Sequence, residues 1–249
     1  MKPVATYALR LGDDALILSH RLGEWIASAP QIEEDIALGN IGLDLLGQAR
    51  ALLTHAGKVE GAGRDEDALA YLRDEREFLN LQLVEQPNGD FAVTMARQLV
   101  FAAYQYELYA RLSASADPTL AAIAAKAVKE VAYHRDHATQ WVLRLGDGTD
   151  ESHRRMQDGL AHIWPYVDEV FEADDLTESL AADGVGVDPA ALRDPWAAYV
   201  EPVIAKATLD VPEPSFRGSG GRRGLHTEPM GYLLAEMQHL HRSHPGASW

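Results

Sequence analysis

The chain contains no cysteine among its 249 residues. This absence excludes disulfides, thiolate nucleophiles, zinc–cysteine sites and iron–sulfur clusters held by the chain itself. Basic residues are also scarce, since 22 lysines and arginines stand against 38 aspartates and glutamates, for a formal net charge of −16. Nucleic-acid binding needs a positively charged surface, so this class of function is disfavoured. The balance agrees with an acidic soluble protein or with a basic protein partner.

Long apolar runs are missing as well. No stretch approaches the ~18 uninterrupted apolar residues that a membrane-spanning helix needs, and the N-terminal residues show no apolar segment followed by a small-residue cleavage site. We therefore expect a cytoplasmic protein. Alternating strand patterns, repeats and low-complexity segments are absent too. Apolar residues instead recur every three or four positions, which predicts an all-α fold.

The first 148 residues are predicted to form a core bundle of four long helices, at 6–27, 35–53, 91–113 and 119–145. A further helix is predicted at 65–85, with Asp65 as its N-cap and the charged RDERE cluster on a solvated face. Residues 149–249 are predicted to be a helical extension, with helices at about 150–171, 177–182, 190–209 and 227–242. The prediction is one domain, 1–249, because the helices are joined by short connections.

The helix predicted at 35–53 is apolar on nearly all sides, which is typical of a buried helix. Asp44 lies in its middle, and a buried carboxylate is costly unless it is paired or binds a metal. Di-iron bundles use a Glu from each of two helices and a Glu-x-x-His from each of the other two. However, Gly47 follows Asp44 by three residues, and Tyr133 follows Glu130 by three. Neither expected imidazole is therefore in register.

Several polar side chains remain as ligands of a di-metal site in altered register: Asp13, Asp14, Asp44, Glu107, Glu130 and His134. The alternative is that these carboxylates bond each other, Tyr133, His134 or arginines inside the bundle. We favour the alternative because the imidazole positions are lost. The prediction is that the chain has no metal, catalytic or cofactor-binding residue of its own.

Two further motifs lie near the C-terminus. Glu236 and His239 form a Glu-x-x-His pair, but its neighbours Gln238 and His241 suggest a polar, exposed helix face. The GSGGRRG run at 218–224 places Arg222 and Arg223 in a glycine loop ahead of a helix, an arrangement that suits phosphate. It lacks the Lys-Ser/Thr of a P-loop. A flexible linker, a protein contact and a phosphate or CoA contact are the alternatives.

Four runs carry a resemblance to a known family: YALRLGDDALILSHRLGEW, IALGNIGLDLLGQAR, LRDEREFLNLQLVEQPNGDFA and GLHTEPMGYLLAEMQHL. They span nearly the whole chain, and the VEQPNGDFA and DLLGQAR segments are specific. The chain resembles the PaaC family, the structural subunits of bacterial phenylacetyl-CoA ring 1,2-epoxidases. The resemblance implies a ferritin-like four-helix bundle with additional C-terminal helices. It also implies a non-catalytic subunit without a working iron site, in aerobic phenylacetate catabolism.

The resemblance further implies the partners of a multicomponent monooxygenase. These are a homologous PaaA-like catalytic subunit that holds the di-iron centre, a small PaaB-like bridging subunit, and a reductase with FAD, an iron–sulfur cluster and NADPH. Contact with the CoA of the substrate is a further expectation. Tyr104, Tyr106, Tyr109, Trp25 and Trp141 are more aromatics than one core needs, which suggests an interface. The rival interpretations are a self-sufficient di-iron or di-manganese oxidase and a helical protein-binding module.

Overall fold

A computed structural model describes residues 2–247 of the chain. Within this range the regular elements are ten α-helices and short 3₁₀ turns, with no strand. The α-helices are α1 Pro3–Gly23, α2 Ile32–Glu60, α3 Glu66–Tyr71, α4 Gln82–Glu85, α5 Phe91–Leu112, α6 Pro118–Gly146, α7 Asp150–Ile163, α8 Asp175–Ala182, α9 Arg193–Lys206 and α10 Glu228–Ser243. The predicted all-α class is confirmed, and the long helices are consistent with a ferritin-like fold. Across residues 2–247, none of the helices combines the length and the apolarity that crossing a membrane requires.

The chain divides into two compact units. Unit 1 contains the described residues of Met1–Ser28, Glu33–Pro87 and Gly220–Trp249. Unit 2 contains Ala29–Ile32 and Asn88–Ser219. These boundaries differ from the predicted division at residue 148, and the single domain 1–249 stays a prediction.

In unit 1, α1 and α2 run antiparallel, as their short connection predicted. A Cβ added at Gly12 would lie 2.9 Å from Leu53 Cδ2, and one added at Gly42 would lie 3.6 Å from Leu22 Cβ. The middle of α1 thus lies against the later part of α2, and the end of α1 lies against an earlier part of α2. Glycine at both positions lets the helix backbones approach closely.

The prediction of a helix at 65–85 is correct for its first turns and wrong for the rest. Asp65 is the N-cap of α3, as predicted, and its carboxylate accepts from the Ala68 N–H. The helix ends at Tyr71, however, and a 3₁₀ turn at Glu75–Glu77 precedes the four-residue α4. The RDERE cluster is only partly solvated, because Arg73 is buried. The α10 helix packs on α3, and α4 packs on α1.

Unit 2 is built around α5, which packs against α6, α7 and α9. Asp90 and Asp117 cap α5 and α6 by accepting from backbone N–H groups of the first turn. The helix predicted at about 150–171 is too long: α7 ends at Ile163, because Pro165 cannot continue its backbone hydrogen bonds and lies in a 3₁₀ turn.

Candidate functional site

The two neighbouring carboxylates of α1 are buried and paired with arginines from distant parts of the chain. Asp13 is fully buried. Its carboxylate forms a bidentate ion pair with Arg73, with one bond of 3.0 Å from Nη1 to Oδ2 and a second from Nη2 to Oδ1. The Leu79 N–H donates to Asp13 Oδ2 at 2.9 Å. A guanidinium therefore neutralises this carboxylate, which removes most of the cost of burying it.

Asp14 makes the same kind of pair with Arg222. Nη1 of Arg222 lies 3.0 Å from Asp14 Oδ1, and Nη2 lies 2.7 Å from Oδ2. Nη1 also donates to the carbonyl oxygens of Arg10 and Leu79, each at 3.0 Å. Burial raises the pKa of Asp14, and the charge of Arg222 and the Leu81 N–H oppose this effect. The pKa of Asp14 therefore stays above its ordinary value, because the charge of Arg222 and the Leu81 N–H offset the effect of burial only in part.

A third buried pair joins Glu85 of α4 to His226. His226 Nδ1 lies 2.7 Å from Glu85 Oε2, and its Nε2 lies 2.9 Å from the Phe78 carbonyl oxygen. Both partners accept hydrogen bonds, so the ring must donate from both nitrogens, and this requires the imidazolium. Burial lowers the pKa of His226, but the hydrogen bond and charge of Glu85 outweigh it, so the pKa lies above its ordinary value.

Glu85 is further enclosed by donors. Its Oε1 accepts from the Thr227 N–H at 2.5 Å and from Thr227 Oγ1 at 2.8 Å. Its Oε2 accepts from Asn80 Nδ2 at 2.9 Å. Together, Arg222, His226 and Thr227 fasten the segment 220–227 onto α1 and the residues just before and within α4. The whole set of pairs, Asp13–Arg73, Asp14–Arg222 and Glu85–His226, is named the ionic core of unit 1.

Within the GSGGRRG loop, the side chain of Arg222 therefore has a structural role. Its guanidinium points into the ionic core, where it is bonded to Asp14 and to backbone carbonyl oxygens of the same chain. Gly224 explains part of the glycine content: its φ is 72°, and an added Cβ would lie 2.2 Å from the Arg76 carbonyl oxygen. Arg223 is exposed and remains the basic side chain of this loop that faces solvent.

The other proposed metal ligands are engaged on their own helices. Glu107 of α5 pairs with Arg111 at 2.6 Å, and Glu130 of α6 pairs with Lys126 at 3.0 Å. His134 is buried on α6, and its ring lies edge-on to Tyr133 at 6.4 Å. In the range 2–247, no three His, Asp or Glu side chains form a group that could hold a metal ion.

The Glu-x-x-His pair of α10 lies on the surface, as predicted, with both Glu236 and His239 exposed. Its neighbour Gln238 is buried, which corrects the prediction of a polar, exposed face at that position. Gln238 Nε2 donates to the carbonyl oxygens of Ala70 at 3.1 Å and Arg73 at 2.9 Å. His241 stacks on the Tyr71 ring at 4.8 Å. The buried amide thus ties α10 to the end of α3.

The prediction that α2 is buried on all sides is wrong. Ile36 is 59% exposed and Leu43 is 66% exposed, and Leu46 is exposed as well. Asp44 is half-buried, not enclosed. With Ile26 from the connection after α1, the exposed side chains line an open groove of about 730 Å³ along α2. This surface, named the α2 groove, is the main apolar depression that unit 1 offers to another molecule.

The connection after α1 holds Ile26 at one end of this groove. Ala27 has a φ of 64°, a left-handed conformation that is costly for a residue with a side chain. Its N–H donates to Asp35 Oδ2 at 2.6 Å, so a carboxylate at the start of α2 stabilises the strained turn. The sequence contained no signal for this contact, since Ala27 was expected to end a helix.

The aromatic residues expected at an interface mostly pack inside the chain. Tyr104 and Tyr109 are buried. The Arg135 guanidinium lies 3.7 Å from the Tyr106 ring centroid, and Trp141 meets the Phe91 ring edge-on at 5.0 Å. The exposed apolar side chains of α2, by contrast, are aliphatic.

Comparison with known proteins gives two matches. Residues 1–249 match a family model described as phenylacetic acid catabolic protein. The chain is also 51% identical over 249 residues to a subunit of the 1,2-phenylacetyl-CoA epoxidase of Escherichia coli (strain K12), an alignment that covers 100% of both chains. The resemblance inferred from the four sequence runs is thereby confirmed. The chain belongs to the PaaA/PaaC family of phenylacetic acid catabolic proteins.

Proposed function

We propose that this chain is a structural, non-catalytic subunit of a phenylacetyl-CoA epoxidase complex. The relative that shares 51% of its residues along its full length is named as one of the subunits of such an enzyme. At this identity and coverage the two chains share a fold. A shared place in the complex follows as the simplest inference.

The observation that carries the non-catalytic part is the ionic core. Iron ligands in helical bundles are inward-pointing carboxylates, and Asp13 and Asp14 are the fully enclosed pair of this kind on α1. Each holds a guanidinium in bidentate geometry. A metal ion would have to displace Arg73 or Arg222 and leave that cation buried, which costs several kcal/mol.

The partners proposed for the chain are those of the multicomponent monooxygenase. They are a homologous di-iron catalytic subunit, a small bridging subunit, and a reductase that carries FAD and iron–sulfur and takes electrons from NADPH. The chain supplies shape and surface, and the cofactors reside in the partners. A contact with substrate CoA at the glycine loop is proposed only for Arg223, because Arg222 is bound internally.

Co-expression with the homologous di-iron subunit tests this proposal. We expect a complex that survives size-exclusion chromatography at high salt, with iron bound to the partner and none above background on this chain. Two metal ions per chain after growth in iron, or a thermal stabilisation of the isolated chain by Fe(II), would establish the rival di-metal oxidase. Failure to bind any epoxidase subunit would favour the helical binding module.

A further inference from the structure

The α2 groove extends beyond its first cavity. A second cavity of about 290 Å³ lies against α2 and α3 and shares Leu46 with the first. It continues past Arg50 to Leu53 on one side and to Tyr71 on the other. The two cavities follow one another along α2, with α2 lining residues from Ile36 to Leu53, and this stretch of surface is named the channel. At 1.5 Å per residue this channel is ~25 Å long, the length of a helix of four to five turns.

The floor of the channel has the spacing of a helix-packing seam. Ile36, Leu43 and Leu46 point outward at intervals of seven and three residues, which place them on one face of α2. Gly39 lies between them, and a Cβ added there would meet no other atom within 4 Å. The missing side chain leaves room for the backbone of a second helix to approach closely.

The rim of the channel is acidic. Glu24 and Asp35 line the first cavity, and Glu66 and Asp67 line the second. Glu66 is paired with Arg50 at 3.3 Å and Glu24 with the buried Arg21 at 2.7 Å, so Asp35 and Asp67 give the rim its net negative charge. His20 lines the first cavity too, and burial lowers its pKa, so it adds no charge at neutral pH.

We propose that the channel docks an amphipathic helix of a different polypeptide, whose apolar stripe is flanked by lysine or arginine. A second copy of this chain would place two acidic rims against each other, which like-charge repulsion disfavours. A basic-flanked helix satisfies both the apolar floor and the acidic rim. That the helix belongs to another epoxidase subunit rests on the function proposed above.

The first test uses synthetic 18-residue helical peptides with the full-length chain. One carries a Leu/Ile stripe flanked by lysines, and its control carries the same stripe flanked by glutamates. We expect the lysine peptide to bind at least tenfold tighter, with an affinity that falls as salt rises. Leu43→Asp should weaken binding at least tenfold. Leu240→Asp, on α10, is the matched control because Leu240 is 54% exposed, and it should leave binding unchanged.

Asp67→Lys gives an independent variant that leaves the apolar floor intact. Asp67 is exposed, so the chain should keep its fold, and affinity for the lysine peptide should fall several-fold with a weaker salt dependence. Equal binding of the two peptides, or no effect of Leu43→Asp, would overturn the proposal. So would a homodimer of the chain alone that Leu43→Asp dissociates, since the occupant would then be a second copy.

The same variants in the co-expressed complex separate this inference from the proposed function. Loss of complex with Leu43→Asp and retention with Leu240→Asp supports both. A complex that forms and is insensitive to Leu43→Asp overturns the channel proposal and leaves the proposed function in place. Lysine-peptide binding that depends on Leu43, with no complex to any epoxidase subunit, supports the channel and contradicts the proposed function.

Discussion

The two units attach later parts of the chain to an early helix by different means. In unit 1, residues 220–227 are held on α1 and α4 by buried charges, chiefly Asp14–Arg222 and Glu85–His226. In unit 2, Trp196 attaches α9 to α5 by a hydrogen bond and by packing on Phe171, whose ring in turn meets Tyr104 of α5 at 6.1 Å. Trp196 meets Phe171 edge-on at 5.2 Å and donates from Nε1 to the Val100 carbonyl oxygen at 3.0 Å.

The difference concerns what each attachment can tolerate. A buried ion pair contributes little to the net free energy of unfolding. Removing one partner, however, leaves an uncompensated buried charge and lowers that free energy strongly. An aromatic contact depends on the volume and shape of the side chains, so the stability lost on truncation increases with the volume of the cavity that remains. Unit 1 should therefore respond to charge and pH, and unit 2 to side-chain size.

Arg222→Met should give the largest effect. It leaves the Asp14 carboxylate buried without its cation, which costs about 3–5 kcal/mol of unfolding free energy. Urea unfolding of the full-length chain measures this loss. Arg223→Met is the matched control, because that neighbour is exposed, and it should change stability by less than ~0.5 kcal/mol. Similar losses for both variants would contradict the ionic core.

Trp196→Phe should cost less, about 1–2 kcal/mol, because the ring is kept while the indole hydrogen bond and part of the packing are lost. The same urea titration measures it. Trp164→Phe is the control, since its ring lies 6.1 Å from that of Trp196 and it is only half-buried. We expect the control to lose less than half as much stability.

The pH dependence of stability should reveal His226. Its folded pKa lies above the ordinary 6.5, so its contribution is fully present below pH 6.5 and is lost as pH rises through the folded pKa. In that window the native state binds one more proton, and stability falls by up to about 1.4 kcal/mol per pH unit. His226→Asn should remove this slope, whereas His239→Asn, on the exposed face of α10, should keep it.

Asp44→Asn should have the smallest effect. No iron is expected to depend on Asp44, so turnover of the reconstituted epoxidase complex should stay within a few-fold of the unmodified enzyme. A collapse of turnover with intact assembly would restore Asp44 as a ligand and contradict the non-catalytic proposal.

Short sequence patterns predicted the features that depend on residues close together in the chain, namely helix caps and helix ends. Asp65 caps its helix as expected, because an N-cap bond spans only two or three residues, and Asp90 and Asp117 make bonds of the same kind. The periodicity also placed α5 and α6 to within a residue or two of their ends. The break after Tyr71 was missed because its cause is tertiary: Arg73 leaves the helical pattern to pair with Asp13.

The site was harder to predict than the helices. Arg222 and Asp14 are 208 residues apart, so no window of sequence reveals their pairing. An Arg-Gly loop looks the same whether it binds phosphate or its own chain. The α2 helix was predicted to be buried because its exposed side chains Ile36, Leu43 and Leu46 are as apolar as those of a core helix.

The discontinuity of unit 1 has a consequence for biosynthesis. Asp14 leaves the ribosome 208 residues before the arginine that neutralises it, an interval of roughly 10–40 s at ordinary translation rates. Most of unit 2 is synthesised within that interval, since nearly all of it, residues 88–219, is continuous in sequence. During synthesis the Asp14 carboxylate of the N-terminal helix lacks its counterion until Arg222 is made. Nascent chains stalled before residue 220 should therefore depend most on chaperones.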